Sequence, residues 1–150
     1  MTYEHESYRT IAEEIRPLLR RHWEAIANDK EAVPLDVDEE KYRALDSAGL
    51  LVIITARVDG RLVGYIAAIL SPHLHYRSTL FATFDVFWME PEFRSGLNGV
   101  GLFTRMLLQL KAAGVVKVVG QSKVGGGRDV SAIYRALGFE QAEILYTRTI

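Results

Sequence analysis

The chain has 150 residues, of which 49% are hydrophobic, a formal net charge of −1 at pH 7 and no cysteine. This charge provides no electrostatic footprint for nucleic acid, and the lack of cysteine excludes disulfides, thiolate catalysis and Cys-ligated metals. No apolar stretch is long enough to span a membrane, and the first ten residues lack a signal-peptide pattern. We therefore expect one cytoplasmic domain over residues 1–150, without a nucleic-acid or membrane partner.

The N-terminal third is predicted to be mainly helical. A short extended segment over residues 3–8 precedes a first helix, which we expect to begin at Thr10, with Glu13 completing a capping box. After a polar loop, Asp38 is expected to cap a second, short helix that ends at Gly49.

From residue 50 onwards the pattern changes to strands. Predicted strands over residues 50–58 and 61–71 flank Asp59 and Gly60, the strongest hairpin signal in the chain. An irregular stretch from Pro72 then leads to a third long strand over residues 78–89. The remaining predicted elements are a helix ending near Ala113 with Gly114 as its cap, a strand over 115–121, a helix over 129–137 and a closing strand over 140–150.

A glycine-rich turn joins the third strand to the helix that follows it. Gly96, Gly99 and Gly101 would let an anion approach the main chain, and the first N–H groups of a helix have no internal partner. The turn has neither the Gly-Lys-Ser/Thr of a Walker loop nor the GxGxxG order of a dinucleotide fold. It therefore predicts a phosphate site of another kind, the alternative being a turn that only connects strand to helix.

A second motif occurs about 33 residues later, where residues 132–139 read AIYRALGF. Gly138 is suited to end this helix in the left-handed conformation, and Phe139 to fold back on its last turn. Tyr134 lies one turn before that end. It is either a functional hydroxyl or an ordinary half-buried aromatic residue with its hydroxyl satisfied.

The GxxGxG turn, the Tyr-x-x-Leu-Gly-Phe motif and the order of elements together resemble the GCN5-related N-acetyltransferases, the GNAT superfamily, over nearly the whole chain. The run His-Leu-His-Tyr at 73–76 is similar to GNAT proteins of phages and prophages. The resemblance implies an α+β fold with a mixed, mostly antiparallel central sheet and helices on both faces. Two positions depart from the family pattern, since Gly96 stands where Arg or Gln is usual and Gly127 where Asn is common.

The resemblance also implies an activity and a set of contacts. An acetyl-CoA-dependent N-acetyltransferase would let the amine of a small molecule or peptide attack the thioester directly, with Tyr134 protonating the leaving thiolate. The pantetheine would lie along the strand before the glycine turn and the pyrophosphate on the helix amides, while Lys123 and Arg128 are candidates for the 3′-phosphate. The cofactor-binding residues expected on this basis are Val86, Phe87, Trp88, Met89, Arg94, Asn98, Gly99, Val100, Gly101, Leu102, Phe103 and Lys123.

Two residues are candidates for the general base. Asp85 lies among apolar neighbours on the central strand, where burial would raise its pKa, unless it pairs with Arg77 or Arg94. His75 precedes the same strand and would act through water. A pair of histidines two residues apart, without a nearby carboxylate, does not indicate a metal site, and we expect no metal. The expected catalytic residues are Tyr134, Asp85 and His75.

Other functions remain open from the sequence. The chain is alternatively a non-catalytic acyl-CoA sensor, a phage-related interaction protein or a nucleotide-binding α/β domain. The acceptor cannot be identified, because the N-terminal helices carry charges of both signs. Tyr42 and Tyr76 would suit a pocket or a homodimer contact equally well.

Overall fold

Helices cover both faces of a five-stranded sheet in the computed structural model, which describes residues 1–123 and 129–150. The strands are β1 (Thr2–His5), β2 (Leu51–Val58), β3 (Arg61–His73), β4 (Tyr76–Met89) and β5 (Lys117–Val119). The helices are α1 (Tyr8–Ile26), α2 (Glu39–Ser47), α3 (Asn98–Ala112) and α4 (Ser131–Ala136), with a 3₁₀ turn at Pro91–Phe93.

The strands follow the order β1-β2-β3-β4-β5 across the sheet. The first three pairings are antiparallel, and β4 pairs with β5 in parallel. The α+β architecture with a mixed, mostly antiparallel sheet is therefore confirmed. None of the helices in the described part of the chain is both long and apolar enough to cross a bilayer.

Two separate cores lie on opposite faces of this sheet. On one face α1 buries Tyr8 and Ile11 against strand residues that include Tyr65 and Trp88. On the other face α3 buries Leu102, Phe103, Met106 and Leu110 against Ile54, Ile66, Phe84 and their neighbours. The side chain of a strand residue therefore faces either the core under α1 or the core under α3.

The β2–β3 hairpin is formed as predicted, and the next connection is not. Asp59 and Gly60 have φ values of 50° and 80°, as a tight hairpin turn requires. The irregular stretch expected from Pro72 is wrong, because β3 continues through Pro72 to His73. A register shift between Pro72 and His73 accommodates the proline, which cannot donate a ladder hydrogen bond.

The capping box at Thr10 is wrong, because α1 begins earlier. Ser7 is the N-cap, and its side chain accepts a hydrogen bond from the Thr10 N–H. Tertiary contacts extend the helix: the Tyr8 N–H donates to Asp46 Oδ2 over 2.9 Å, and the Tyr8 ring stacks on Tyr42 at 4.7 Å. The cap at Asp38 is confirmed.

The C-terminal elements are shorter than predicted. The strand expected over 115–121 is limited to Lys117–Val119, and no strand is described over 140–150, where every residue is exposed. A three-residue β5 offers few backbone groups to a further strand. The sheet therefore ends at β5 in the described part of the chain.

Gly101 is required by packing, and this can be tested. A Cβ on Gly101 would lie 2.6 Å from the Tyr3 ring, whose hydroxyl donates to the Asn98 carbonyl over 3.0 Å. We expect Gly101→Ala to lower the free energy of unfolding by about 1 kcal/mol, because displacement of Tyr3 outweighs the gain in helix propensity. In a Tyr3→Ala background the same change should become stabilising, as measured by urea unfolding. An unchanged effect in both backgrounds would show that Tyr3 is not the cause.

Candidate active site

The strands β4 and β5 separate after only three paired positions. Phe81, Ala82 and Thr83 pair with Lys117, Val118 and Val119. Beyond Thr83, no partner on this side of β4 is present among residues 1–123 and 129–150. The last six residues of β4 therefore have no neighbouring strand on this side. A ligand can bind along this open edge as a further strand.

Backbone alternation determines which groups face this open edge. The Glu90 N–H donates to the Val63 carbonyl of the β3 side over 2.8 Å, so the Met89 carbonyl points the opposite way. Because both main-chain groups of a residue point to the same side, Phe87 and Met89 face the open edge, while Val86 and Trp88 face β3. Only two of the four strand residues expected to bind pantetheine through the main chain are thus oriented to do so.

The N-terminus of α3 follows this edge and offers fewer amides than expected. The helix begins at Asn98, so no helix carbonyl precedes the N–H groups of Asn98, Gly99 and Val100. The Gly101 N–H already donates to the Leu97 carbonyl over 2.8 Å. The amides of Leu102 and Phe103 lie inside the helix, and their side chains are fully buried. The expectation that Gly101, Leu102 and Phe103 bind phosphate is therefore wrong for these three residues.

Glycine is needed at the three positions of the turn for different structural reasons. Gly96 has φ +61°, which favours glycine. A Cβ on Gly99 would lie 3.0 Å from Ile133 Cδ1, so this glycine lets α4 approach α3. Gly101 makes room for Tyr3, as described above. Gly101 is therefore required by packing and not by the close approach of an anion.

Tyr134 lies where β4 and β5 separate. Its ring lies against Gly120, where a Cβ would be 2.7 Å from Cζ, and stacks with Phe84 at 6.3 Å. Its hydroxyl donates to the Gln121 carbonyl over 3.0 Å. Burial raises the pKa of Tyr134 to about 12. At neutral pH the hydroxyl is therefore a proton donor beside the open edge.

Asp85 is the extra residue of a β-bulge next to this position. Ala68 pairs with Phe84 and Ala67 with Val86, which leaves Asp85 without a direct partner in β3. Its side chain is exposed, yet the surrounding protein removes enough water to raise the pKa of the carboxyl. The alternative of an ion pair with Arg77 or Arg94 is not found in the described part of the chain, where Arg94 is bound elsewhere.

Arg94 is placed at the open edge by two contacts. Its Nε donates to the Met89 carbonyl, and its guanidinium lies 4.4 Å from the centre of the Trp88 ring. One terminal nitrogen, Nη2, is buried without a hydrogen-bond partner among the described residues. The side chain thus occupies one acceptor of the open edge and leaves one buried donor unpaired.

Two predicted site residues lie elsewhere. His75 is in the turn between β3 and β4, ten residues from Asp85, which is roughly 30 Å along an extended strand. It is therefore too far away to act with Tyr134. The Lys123 ammonium donates to the Ile26 carbonyl at the C-terminal end of α1, where a helix attracts cations. The candidates Gly127 and Arg128 lie outside the described residues.

A cavity of about 340 Å³ on the α1 side of the sheet was not found from the sequence. It lies between α1, the loop before α2, α2 and β4. His22 is the buried polar residue of its wall. The lining residues are Leu19, His22, Trp23, Ile26, Ala27, Leu35, Asp36, Val37, Asp38, Tyr42, Val86 and Lys123. Among residues 1–123 and 129–150, no three potential metal ligands lie together.

Comparison with solved structures gives the fold a name. The chain is similar to a ribosomal-protein-alanine N-acetyltransferase from Brucella melitensis biovar Abortus 2308, with 17% identity, TM-score 0.74 and 100% of each chain covered. It is also similar to an aminoglycoside acetyltransferase from a soil metagenome, with 16% identity, TM-score 0.76 and coverage of 99% and 97%. A predicted acetyltransferase from Clostridium acetobutylicum, determined with acetyl-CoA, matches at 15% identity, TM-score 0.69 and coverage of 99% and 95%.

No family model matches the sequence, and no curated protein sequence matches it either. At these identities the likeness establishes the architecture. The chain has the fold of the GNAT acetyltransferases.

Proposed function

We propose that the protein is an acetyl-CoA-dependent N-acetyltransferase that acts in the cytoplasm on the amine of a small molecule or peptide. The observation that carries the proposal is the open edge of β4, which leads to the N-terminus of α3 and has Tyr134 at its start. The structural similarity to an acetyltransferase determined with acetyl-CoA supports the same donor. Closeness to phage proteins and a homodimer stay predictions.

The residues present fit acetyl-CoA in three ways. Phe87 offers both its main-chain groups, and Met89 its N–H, to the pantetheine amides in the manner of an added strand. The three amides of residues 98–100 and the positive end of the α3 dipole suit a pyrophosphate. Arg94 Nη2 provides a further buried donor near this path.

The chemical step requires this chain to accept one proton and to donate another. Acetyl-CoA supplies an activated acetyl thioester. In this proposal Asp85 accepts a proton from the attacking amine, and Tyr134 donates one to the thiolate. To do so the Tyr134 hydroxyl must release the Gln121 carbonyl, its present acceptor.

The role of Asp85 predicts a pH dependence. A base works only when it is deprotonated, so kcat/KM should fall as pH falls through the pKa of Asp85, which lies above the usual carboxyl range. Asp85→Asn should lower kcat/KM about 100-fold at pH 7 and remove this acidic limb. The exposed carboxylate of Glu40 on α2 is the matched control, and Glu40→Gln should leave the profile unchanged. A limb that persists in Asp85→Asn would assign the titration to another group.

A ligand screen tests the proposed donor. Acetyl-CoA, CoA, ATP and NAD are compared by thermal unfolding, and CoA release is then followed with a panel of amines. At a concentration 100 times the Kd, acetyl-CoA should raise the Tm by roughly 5–10 °C, because such binding stabilises by about 2.7 kcal/mol. Stabilisation by ATP or NAD and not by CoA esters would instead indicate a nucleotide-binding domain.

Two hydrogen bonds favour a non-catalytic acyl-CoA sensor as the second candidate. The Tyr134 proton is directed at the Gln121 carbonyl, and Arg94 already occupies the Met89 carbonyl. If acetyl-CoA binds but no amine in the panel releases CoA, the sensor is the better description.

A further inference from the structure

The cavity beside β4 has the size and lining of a site for a compact, largely apolar molecule. Its volume of about 340 Å³ is near the lower end of the range for ligand pockets, roughly 300–1,000 Å³. Trp23, Tyr42 and Leu35 provide apolar and aromatic wall, and Leu35 is 38% exposed. This apolar part of the wall does not suit a polycation such as a polyamine or an aminoglycoside, because each of its several ammonium groups would need a carboxylate partner.

His22 provides one hydrogen-bond donor in this wall. Its ring stacks on Trp88 at 5.1 Å, and its Nδ1 lies 2.8 Å from the hydroxyl of the fully buried Tyr65. No other acceptor for that hydroxyl is found among residues 1–123 and 129–150, so Tyr65 donates to Nδ1. The neutral imidazole then carries its proton on Nε2.

Electrostatics keep His22 in this form. Burial, and to a smaller extent the Lys123 ammonium, lowers the pKa of His22 to about 4, so the ring is neutral at physiological pH. Because Nδ1 faces Tyr65, the edge that bears Nε2–H is the one available to the cavity. It can donate to a carbonyl or hydroxyl oxygen and cannot accept an amine proton.

Carboxylates lie at the side of the cavity towards β4 and the loop before α2. Asp36 and Asp38 belong to the lining, and Val86 joins the cavity to the neighbouring Asp85. The Asp85 charge also acts on Tyr42, whose pKa is raised to about 12, mainly by burial and then by Asp85. These three carboxylates outnumber the one lysine of the lining, Lys123, whose ammonium is bound to the Ile26 carbonyl. An ammonium group is therefore favoured at this end of the cavity.

Resting on the proposed function, we propose that the acceptor is a small monoamine with an aromatic or branched apolar body and a carbonyl or hydroxyl oxygen. The body fills the cavity between Trp23 and Tyr42, the oxygen accepts a hydrogen bond from His22 Nε2–H, and the amine lies towards Asp85. In transfer, the amine nitrogen forms a bond to the acetyl carbon as the carbon–sulfur bond breaks. Asp85 takes the amine proton, and the thiolate receives one from Tyr134.

Direct binding and turnover test this assignment separately. Phenylalanine amide, phenethylamine, spermidine and kanamycin are titrated calorimetrically into the protein saturated with CoA, and each is then assayed for CoA release from acetyl-CoA. Phenylalanine amide should bind best, with a kcat/KM at least tenfold above those of spermidine and kanamycin. Phenethylamine lacks the oxygen and should bind about fivefold more weakly than the amide, the effect of one hydrogen bond.

Three variants locate the site. Leu35→Lys puts a cation and a long chain into the apolar wall and should weaken phenylalanine amide binding at least tenfold. Val33→Lys is the matched control, since Val33 belongs to the same loop, is 59% exposed and does not line the cavity. His22→Phe keeps an aromatic ring on Trp88 and should remove the preference for the amide over phenethylamine.

The outcomes separate this inference from the proposed function. Failure of acetyl-CoA to bind would overturn the proposed function. Binding of acetyl-CoA with better binding or acetylation of spermidine or kanamycin would leave the donor in place and overturn the acceptor. Equal effects of Leu35→Lys and Val33→Lys, or no phenylalanine amide binding to the CoA complex, would also overturn it.

Discussion

Replacement of Tyr134 by phenylalanine is expected to lower kcat for acetyl transfer about 100-fold and to change the acetyl-CoA Kd by less than threefold. The change removes one oxygen, and general acids contribute about 10²–10⁴-fold to rate. The ring contacts with Phe84 and Phe103 remain, because they do not involve the hydroxyl. Since the pKa of Tyr134 is about 12, wild-type kcat should show no loss from its ionisation below about pH 10.

The control for this prediction is Tyr146→Phe. Tyr146 is 86% exposed in the C-terminal segment, so its hydroxyl has no place in the proposed chemistry. Steady-state kinetics and calorimetry of both variants give the comparison. A Tyr134→Phe enzyme with wild-type kcat would remove Tyr134 from the chemical step and leave its ring as a packing element.

Gly99→Asp is expected to weaken acetyl-CoA binding at least 100-fold and to abolish the ligand-induced rise in Tm. A carboxylate at the start of α3 would compete with the pyrophosphate for the same amides and repel it. The fold should tolerate the change, because an acidic residue in the first turn interacts favourably with the helix dipole. Gly101 is a poorer place for this test, since any side chain there displaces Tyr3.

Gly99→Ala is the matched control. Both side chains place a Cβ 3.0 Å from Ile133 Cδ1, the end of a flexible side chain, so the two variants share the steric effect and differ in the carboxylate. Thermal unfolding with and without acetyl-CoA measures both. If Gly99→Ala loses the shift as completely as Gly99→Asp, the contact between α3 and α4 is what binding requires. If neither loses it, the pyrophosphate does not lie at this helix terminus.

Local signals in the sequence were sufficient for much of the fold. Asp59 and Gly60 form the predicted hairpin, Asp38 caps α2, and Gly114 and Gly138 follow their helices with φ near 80°. The start of α1 was mispredicted, because a buried Tyr8 adds the first turn through contacts with residues about 35 positions away. The strand over residues 140–150 was mispredicted, because the alternation of apolar and polar residues does not reveal whether a neighbouring strand has a free edge for pairing.

The sequence indicated candidate side chains for the site. It was less informative about the packing and backbone geometry that surround them. The Tyr-x-x-Leu-Gly-Phe resemblance pointed to Tyr134 and the apolar neighbours pointed to Asp85, and both lie beside the point where β4 leaves β5, while their roles stay predictions. The glycine motif was harder to interpret, because a sequence cannot distinguish room for a phosphate from room for Tyr3 or Ile133. His22 was overlooked because its importance depends on Tyr65, 43 residues away.

Because of the bulge at Asp85, the residues on its two sides pack into different cores of the protein. Phe84 belongs to the α3 core, yet Val86, two positions later, belongs to the α1 core, whereas in a regular strand both would share a face. Asp85 thus shifts the alternation of side chains between the two faces by one residue, and its deletion would restore strict alternation along β4. Any relative that lacks this extra residue will be misaligned by one position on one side of it, so roles should be transferred separately before and after Asp85.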